Sequence, residues 1–222
     1  MADLVLLKDI AMVISADQYK KSVRGSASSR SIRRIEFPVK VPKNVSTVSV
    51  VTKSVVVKNN TIVILPVNNA DALYIPFLLD SLYVKGYLLD WSANVRKLSN
   101  VPIVYLIDSD KEYLCKLENT LIAITKLGKQ RLDYEYFFTA ERLLADLRDA
   151  IVFELYHEEY IHAQNIRLFE HWKQEVDHLT EKQLPKGFDE LVALINSLLK
   201  PNNELYDNLK RFFLFVEHFK QQ

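Results

Sequence analysis

Hydrophobic residues recur at helical spacing along one stretch in the second half of the chain. This pattern predicts one continuous helix from about Thr139 to Gln183. Apolar positions lead into and out of its middle, where the same face carries polar side chains. We call this face the seam and expect it to pack against a partner, because an apolar helix face is buried in a stable protein. The residues of the seam are Glu158, His162, Asn165, Leu168 and Trp172.

The first part of the chain contains runs of β-branched residues instead, which favour strands. Residues 34–41 alternate between apolar and polar positions, as a strand does. Pro38 places that strand at a sheet edge, because proline has no N–H to donate to a neighbour. Residues 45–57 and 61–67 flank an asparagine-containing turn and are typical of a hairpin.

Helical spacing returns at about residue 69 and continues to about Leu98, before a strand over residues 101–107 and a helix that ends at Gly128. This order predicts a βαβ-like unit whose two strands are parallel. Asp108 and Asp110 follow the second strand. They are either caps of the next helix or acids at a ligand-binding strand end.

Together these elements predict an α+β fold. The N-terminal region, residues 1–128, is β-rich or α/β, and the C-terminal region, residues 129–222, is an all-helical bundle with one long helix. Pro185 and Gly187 are expected to end the long helix. Shorter helices are then predicted over residues 188–199 and 203–219.

The composition limits the classes of site and location. The four glycines are too scattered to form a phosphate-binding loop, and the single Cys115 excludes an internal disulfide. No apolar run approaches the roughly 18 residues of a membrane helix, and no signal peptide is expected. We therefore predict no membrane contact, no cofactor, and an intracellular location, either cytoplasmic or within a nucleoprotein assembly.

Charge is distributed unevenly along the chain. The formal net charge is +1, but residues 1–136 carry 19 basic and 13 acidic side chains. A basic loop at about residues 20–43 is the source of much of this excess, and such a loop suits the phosphates of DNA or RNA. The alternative is a solvated loop, or one that pairs with the acidic helices. The predicted nucleic-acid-binding residues are Lys20, Lys21, Arg24, Arg30, Arg33 and Arg34.

The polar part of the seam has two interpretations. Glu158 and His162 are four residues apart and adjacent on a helix face, and Glu159 and His162 form a Glu-x-x-His pair. Di-iron bundles require such a pair from each of two helices, and the sequence offers no second pair on another helix. We therefore predict no metal and favour a hydrogen-bonded layer that sets the register between helices.

Arg211 and His218 lie on the last predicted helix of the helical region, separated by six residues. This element resembles the Arg-x(4–6)-His motif of HEPN ribonucleases. The resemblance implies that Arg211 and His218 of two protomers converge on the scissile phosphate. In that chemistry an arginine stabilises the phosphate charge and a histidine transfers protons.

We predict a non-catalytic structural or assembly subunit of a larger complex. Its partners are a second copy or other protein subunits, and the basic loop adds a contact with DNA or RNA. The alternative is a HEPN-like, metal-independent ribonuclease that acts as a dimer through Arg211 and His218.

Overall fold

A computed structural model gives the fold. It describes residues 3–24, 34–40, 49–51, 57, 60–128, 134–180, 193, 196, 197, 200 and 202–219. The chain is mixed α+β as predicted, with small antiparallel sheets first and mostly helices afterwards. It divides into two compact units, Met1–Glu112 and Tyr113–Gln222. The division falls inside a helix, whereas the predicted boundary follows residue 128.

Two antiparallel sheets form the N-terminal unit. The smaller pairs β1 (Asp3–Leu6) with β6 (Pro102–Tyr105). The larger has the order β2-β5-β3-β4. Its strands are β2 (Ala11–Ser15), β3 (Arg34–Pro38), β4 (Ser49–Val51) and β5 (Thr61–Pro66).

Strand pairing differs from three of the predictions. β5 and β6 belong to different sheets, so the parallel βαβ-like unit is wrong. β4 pairs with β3 rather than β5, so the predicted hairpin is also wrong. β3 is interior rather than at an edge, and Pro38 is tolerated there because it occupies the last position of the strand.

Helices complete the N-terminal unit. α1 (Leu7–Ile10) and α2 (Ala16–Arg24) flank β2. The helix predicted from residue 69 to Leu98 is divided into α3 (Asp71–Leu79), a π-helix (Tyr83–Leu88) and α4 (Val95–Ser99). Gly86 lies inside the π-helix, where a Cβ atom would come within 3.0 Å of the Trp91 ring.

The described elements that follow are all helices. They are α5 (Asp108–Gly128), α6 (Tyr134–Tyr156), α7 (Glu158–His162), α8 (Leu168–Thr180) and α9 (Glu204–Phe219). α5 and α9 match their predicted positions closely. The predicted ends at Pro185 and Gly187, and most of the helix predicted over residues 188–199, lie outside the described residues.

The continuous helix predicted from Thr139 to Gln183 is wrong. The chain leaves helical geometry at His157, where φ is −131° and ψ is 37°, and α7 then ends at His162. Asn165 then adopts a left-handed φ of 57°, a conformation that asparagine tolerates better than most residues. The amphipathic spacing continues across both breaks because α6, α7 and α8 each bury one face in the same core.

Candidate functional site

The seam was the first candidate site, and the structure separates its residues into two groups. Leu168 and Trp172 are fully buried within the C-terminal unit, and the Trp172 indole N–H donates to the Tyr113 carbonyl at 2.9 Å. Glu158 and Asn165 are exposed. The seam is therefore not one continuous face available to a partner, because the helix that was to carry it is broken.

A buried polar junction replaces the predicted polar layer. Glu154, near the end of α6, is 2% exposed, and its Oε1 lies 2.9 Å from Nε2 of His162. Its Oε2 accepts the backbone N–H of Phe169 at 2.9 Å, near the N-terminus of α8. Burial raises the pKa of Glu154, while the hydrogen bond and charge of His162 oppose that rise. One carboxylate thus ties α6, α7 and α8 together.

Two further side chains link this junction to α9. The guanidinium of Arg167 donates to the carbonyl of His162 at 2.8 Å. The backbone N–H of Arg167 donates to Oδ1 of Asn208, a buried residue of α9, at 3.1 Å. The His162 carbonyl and the Arg167 N–H lie at the two ends of the turn between α7 and α8. The junction has a structural role, since its polar atoms bond to one another and to the backbone.

Sequence reasoning did not identify Glu154 as the centre of this junction. The signal available was its spacing of four residues from Glu158 on the predicted helix. Its actual partners, His162 and the Phe169 N–H, are reached because the chain turns at His157 and Asn165. Among the residues that the structure describes, no group of three or more His, Cys, Asp or Glu side chains could hold a metal ion.

The C-terminal half of α9 leaves two large apolar side chains exposed beside charged neighbours. Leu214 is 66% exposed and Phe213 39% exposed. The opposite face of this helix is buried through Leu205, Leu209 and Phe212. We call the exposed set the α9 surface: Lys210, Arg211, Phe213, Leu214, Glu217 and His218.

The α9 surface has an aromatic neighbour. The Tyr160 ring of α7, which is 44% exposed, lies 5.4 Å from the ring of Phe215, the residue after Leu214. Phe153 of α6 packs edge-on against Phe212 with ring centroids 5.6 Å apart. Phe212 and Phe215 thus anchor α9 through aromatic contacts, while Phe213 and Leu214 remain exposed.

Arg211 and His218 both lie on the α9 surface, and both are exposed. Seven residues are close to two full helical turns, so the two side chains share one side of the helix, roughly 10 Å apart along its axis. Within the described part of the chain, neither makes an ion pair or a hydrogen bond with another side chain. The predicted pair therefore has the exposure that an RNA contact requires.

The predicted nucleic-acid-binding residues have different environments. Lys20 and Lys21 lie on α2, Lys21 exposed and Lys20 half-buried. Arg24 is the last residue of α2, and Arg30 and Arg33 lie outside the described residues. The basic loop expected at about residues 20–43 is thus helix at its start and strand β3 from Arg34 to Pro38.

Arg34 is the clear departure from that prediction. It is 3% exposed, and its guanidinium lies 2.9 Å from Oε1 of Glu36 on the same strand. It also donates to the Tyr19 hydroxyl at 3.3 Å and stacks over that ring. We correct the assignment of Arg34 to a nucleic-acid surface, because its charge is neutralised inside the N-terminal unit.

Asp108, the other candidate site of the N-terminal unit, has an ionic role. α5 begins at this residue, and its carboxylate lies 3.3 Å from Nζ of Lys111. The same ammonium lies 2.8 Å from Oδ1 of buried Asp71 and 4.0 Å from the centre of the Tyr105 ring. Burial alone would lower the pKa of Lys111, but the hydrogen bond and charge of Asp71 outweigh it and raise that pKa.

No helix among the described residues is long and apolar enough to cross a membrane. Comparisons with protein-family models, curated proteins and solved structures found no match. Among the described residues, the α9 surface places exposed apolar and charged side chains side by side on one helix.

Proposed function

We propose that this protein is a non-catalytic assembly subunit, and that its C-terminal unit docks another protein chain on the α9 surface. The observation that carries the proposal is the exposure of Leu214 and Phe213 on a helix whose other face is fully packed. Single exposed leucines are common on protein surfaces. Here the exposed leucine has an aromatic neighbour and a charged rim.

The arrangement around Leu214 supports a docking role. Residues three and four positions away on a helix are its surface neighbours, and for Leu214 these are Lys210, Arg211, Glu217 and His218. An apolar centre within a rim of polar and charged side chains is the usual organisation of a protein interface. Aromatic and arginine side chains are also frequent contributors to binding energy at such sites.

A matched pair of substitutions tests this proposal. Leu214→Asp places a charge at the centre of the α9 surface. Leu4→Asp makes the same change at a leucine of similar exposure, 62%, on β1 of the other unit. We expect Leu214→Asp to abolish association of the tagged full chain with its partner, as measured by sedimentation and by co-purification from cells that make it.

Leu4→Asp is expected to retain that association, and both variants are expected to remain folded by circular dichroism. If every association of the wild-type chain persists in the Leu214→Asp variant, the α9 surface is not the docking site.

A second candidate function uses the same surface. The exposure of both Arg211 and His218 on one side of α9 favours the ribonuclease alternative over a buried structural role for this pair. That alternative predicts RNA cleavage in the presence of EDTA, with a large loss of rate on His218→Ala or Arg211→Ala. Glu170→Gln, at an exposed glutamate of α8, is the control. Wild-type protein that leaves all RNA substrates intact would exclude this alternative.

Contact with DNA or RNA through the N-terminal unit is a separate proposal. After the correction of Arg34, it rests on Lys20, Lys21 and Arg24, together with Arg30 and Arg33. Lys20 and Lys21 are adjacent on α2, and a phosphate backbone is attracted by such paired charges.

A further inference from the structure

We infer that the chain docked on the α9 surface is a second copy of this protein, with the two α9 helices antiparallel about Leu214. This inference rests on the proposed docking function and specifies its partner. It is drawn from the order of charges along the α9 surface, which is complementary to itself when one helix is reversed.

The positions of the side chains follow from helix geometry. With Leu214 at the centre of the contact, Lys210 precedes it by four residues and Glu217 follows it by three. Taking 100° per residue, both lie on the same side of the line through Leu214, offset by roughly 40° and 60°. Arg211 and His218 lie on the other side of that line at similar offsets.

A two-fold axis through Leu214, perpendicular to both helices, reverses position along the helix and preserves the side. Lys210 then lies against the partner's Glu217, at heights that differ by roughly 1.5 Å. The symmetry gives this opposite-charge contact twice, as any interface made from one patch on both subunits must. Leu214 meets the partner's Leu214 on the axis.

The remaining pair is compatible with this arrangement. Arg211 lies against the partner's His218, and an imidazole nitrogen can accept a hydrogen bond from a guanidinium. A parallel pair gives a different result, because a two-fold axis along the helices exchanges the two sides of the line through Leu214. Lys210 would then lie against the partner's Arg211, and Glu217 against the partner's His218. Like charges such as Lys210 and the partner's Arg211 are unfavourable when they are directly opposed, so the sequence of α9 selects the antiparallel pair.

Lys210 is available for this contact. Its ion pair within α9 is with Asp207, at 3.3 Å, between side chains that are 54% and 40% exposed, and its ammonium also lies 4.1 Å from the centre of the Tyr206 ring. An exposed pair of this kind contributes little to stability. The ammonium can therefore turn toward a second carboxylate without a large loss.

Charge exchange tests the orientation. Sedimentation equilibrium of the full chain is expected to show a dimer. Lys210→Glu and Glu217→Lys, each alone, oppose like charges at both symmetric contacts, and each is expected to weaken the dimer about tenfold. The double variant K210E/E217K restores opposite charges across the axis, and we expect it to return to within about threefold of the wild type.

Cross-linking supplies an independent measurement. In a Cys115→Ala background, a chain with Lys210→Cys and a chain with Glu217→Cys should cross-link to each other through a short thiol-specific reagent. Neither should cross-link to itself, since along the helix axis the two copies of position 210 lie roughly 12 Å apart and the two copies of position 217 roughly 9 Å apart. Self-linking of either variant would indicate a parallel pair and overturn the inference.

Failure of this inference can be separated from failure of the proposed function. A wild-type chain that is monomeric at high concentration, but binds a different protein that Leu214→Asp releases, excludes the second copy and retains the docking surface. A dimer that is insensitive to Leu214→Asp and to both charge variants uses another surface and overturns the inference. A dimer that the single charge variants weaken and the double variant restores supports it.

Discussion

Nε2 of His162 lies 2.9 Å from Oε1 of Glu154, across the break between α6 and α7. The other oxygen of the same carboxylate accepts the Phe169 N–H at the start of α8. Helix N-termini leave backbone N–H groups without partners inside the helix. Glu154, a residue of α6, therefore caps the N-terminus of α8. The same carboxylate contacts His162, the last residue before the turn that leads to α8.

Removal of this carboxylate is expected to destabilise the C-terminal unit strongly. Glu154→Ala leaves the Phe169 N–H without its acceptor and His162 without the nearer of its two carboxylates. We expect a loss of about 2 to 4 kcal/mol in the free energy of unfolding. Urea denaturation monitored by tryptophan fluorescence measures it, because Trp172 is buried in the same unit.

Glu158→Ala is the matched control, since this side chain is 45% exposed and lies 3.9 Å from the other nitrogen of His162. Its effect should stay within about 0.5 kcal/mol. Equal losses in the two variants would contradict the central role of Glu154.

His157 is expected to make the stability of the fold depend on pH. Its ring packs on Phe153 with centroids 4.6 Å apart, and burial lowers the pKa of His157 below its ordinary value of about 6.5. The folded state therefore binds the proton less readily than the unfolded chain. Stability is full above about pH 6.5, falls as the pH drops toward the lowered pKa, and then levels off.

His157→Phe retains a ring at this position and does not titrate. We expect the wild type to lose less than about 1 kcal/mol relative to this variant between pH 7.5 and 5, since the imidazole is only partly buried. Parallel unfolding curves at several pH values provide the measurement. A constant difference between the two proteins across that range would contradict the assignment.

Arg34 is expected to matter for stability rather than for nucleic-acid binding. Arg34→Met leaves the buried carboxylate of Glu36 without its main counter-charge, which costs about 3 kcal/mol or more. Replacing both residues by apolar ones, as in R34M/E36L, should recover much of the loss. Arg96→Met, at an exposed arginine of the same unit, is the control. Chemical denaturation distinguishes the three variants.

Lys20 and Lys21 should behave in the opposite way. We expect K20E/K21E to weaken binding to single-stranded DNA or RNA at low salt and to reduce the salt dependence by about one or two ion contacts. Thermal stability should change little. K8E/R96E makes the same change in net charge at two other basic residues of the N-terminal unit, and fluorescence anisotropy compares them. Equal weakening by both variants would indicate non-specific attraction only.

Local chemistry determined the identity and ends of several elements. Gly128 ends α5, and the apolar spacing of α9 predicted a helix that the structure places at Glu204–Phe219. The β-branched run at Ile62–Ile64 became a buried interior strand. These signals succeed because a cap, a helix face or a strand propensity acts between residues close in the chain.

The residues of the candidate site also divide into those that local sequence identifies and those that only long-range contacts identify. Its exposed polar side chains, Arg211 and His218, could be named from the sequence, since the amphipathic pattern of α9 identifies its outer face. The role of Glu154 could not be predicted, because its hydrogen-bond partners come within reach only after the chain turns at His157 and Asn165. Arg34 looked like a surface cation and is buried, because Glu36 and Tyr19 surround it once β3 is enclosed by β4 and β5.

Hydrophobic periodicity and the residues that start and stop helices were enough to predict an α+β chain with a helical C-terminal region. Three features depend on the folded chain: β6 pairs with β1, the predicted long helix breaks at His157 and Asn165, and Lys111 meets Asp71. Each of these features brings together groups that are distant along the chain or depends on such contacts. Asp71 and Lys111 are 40 residues apart, and a buried charge finds such a partner only when packing removes both from water.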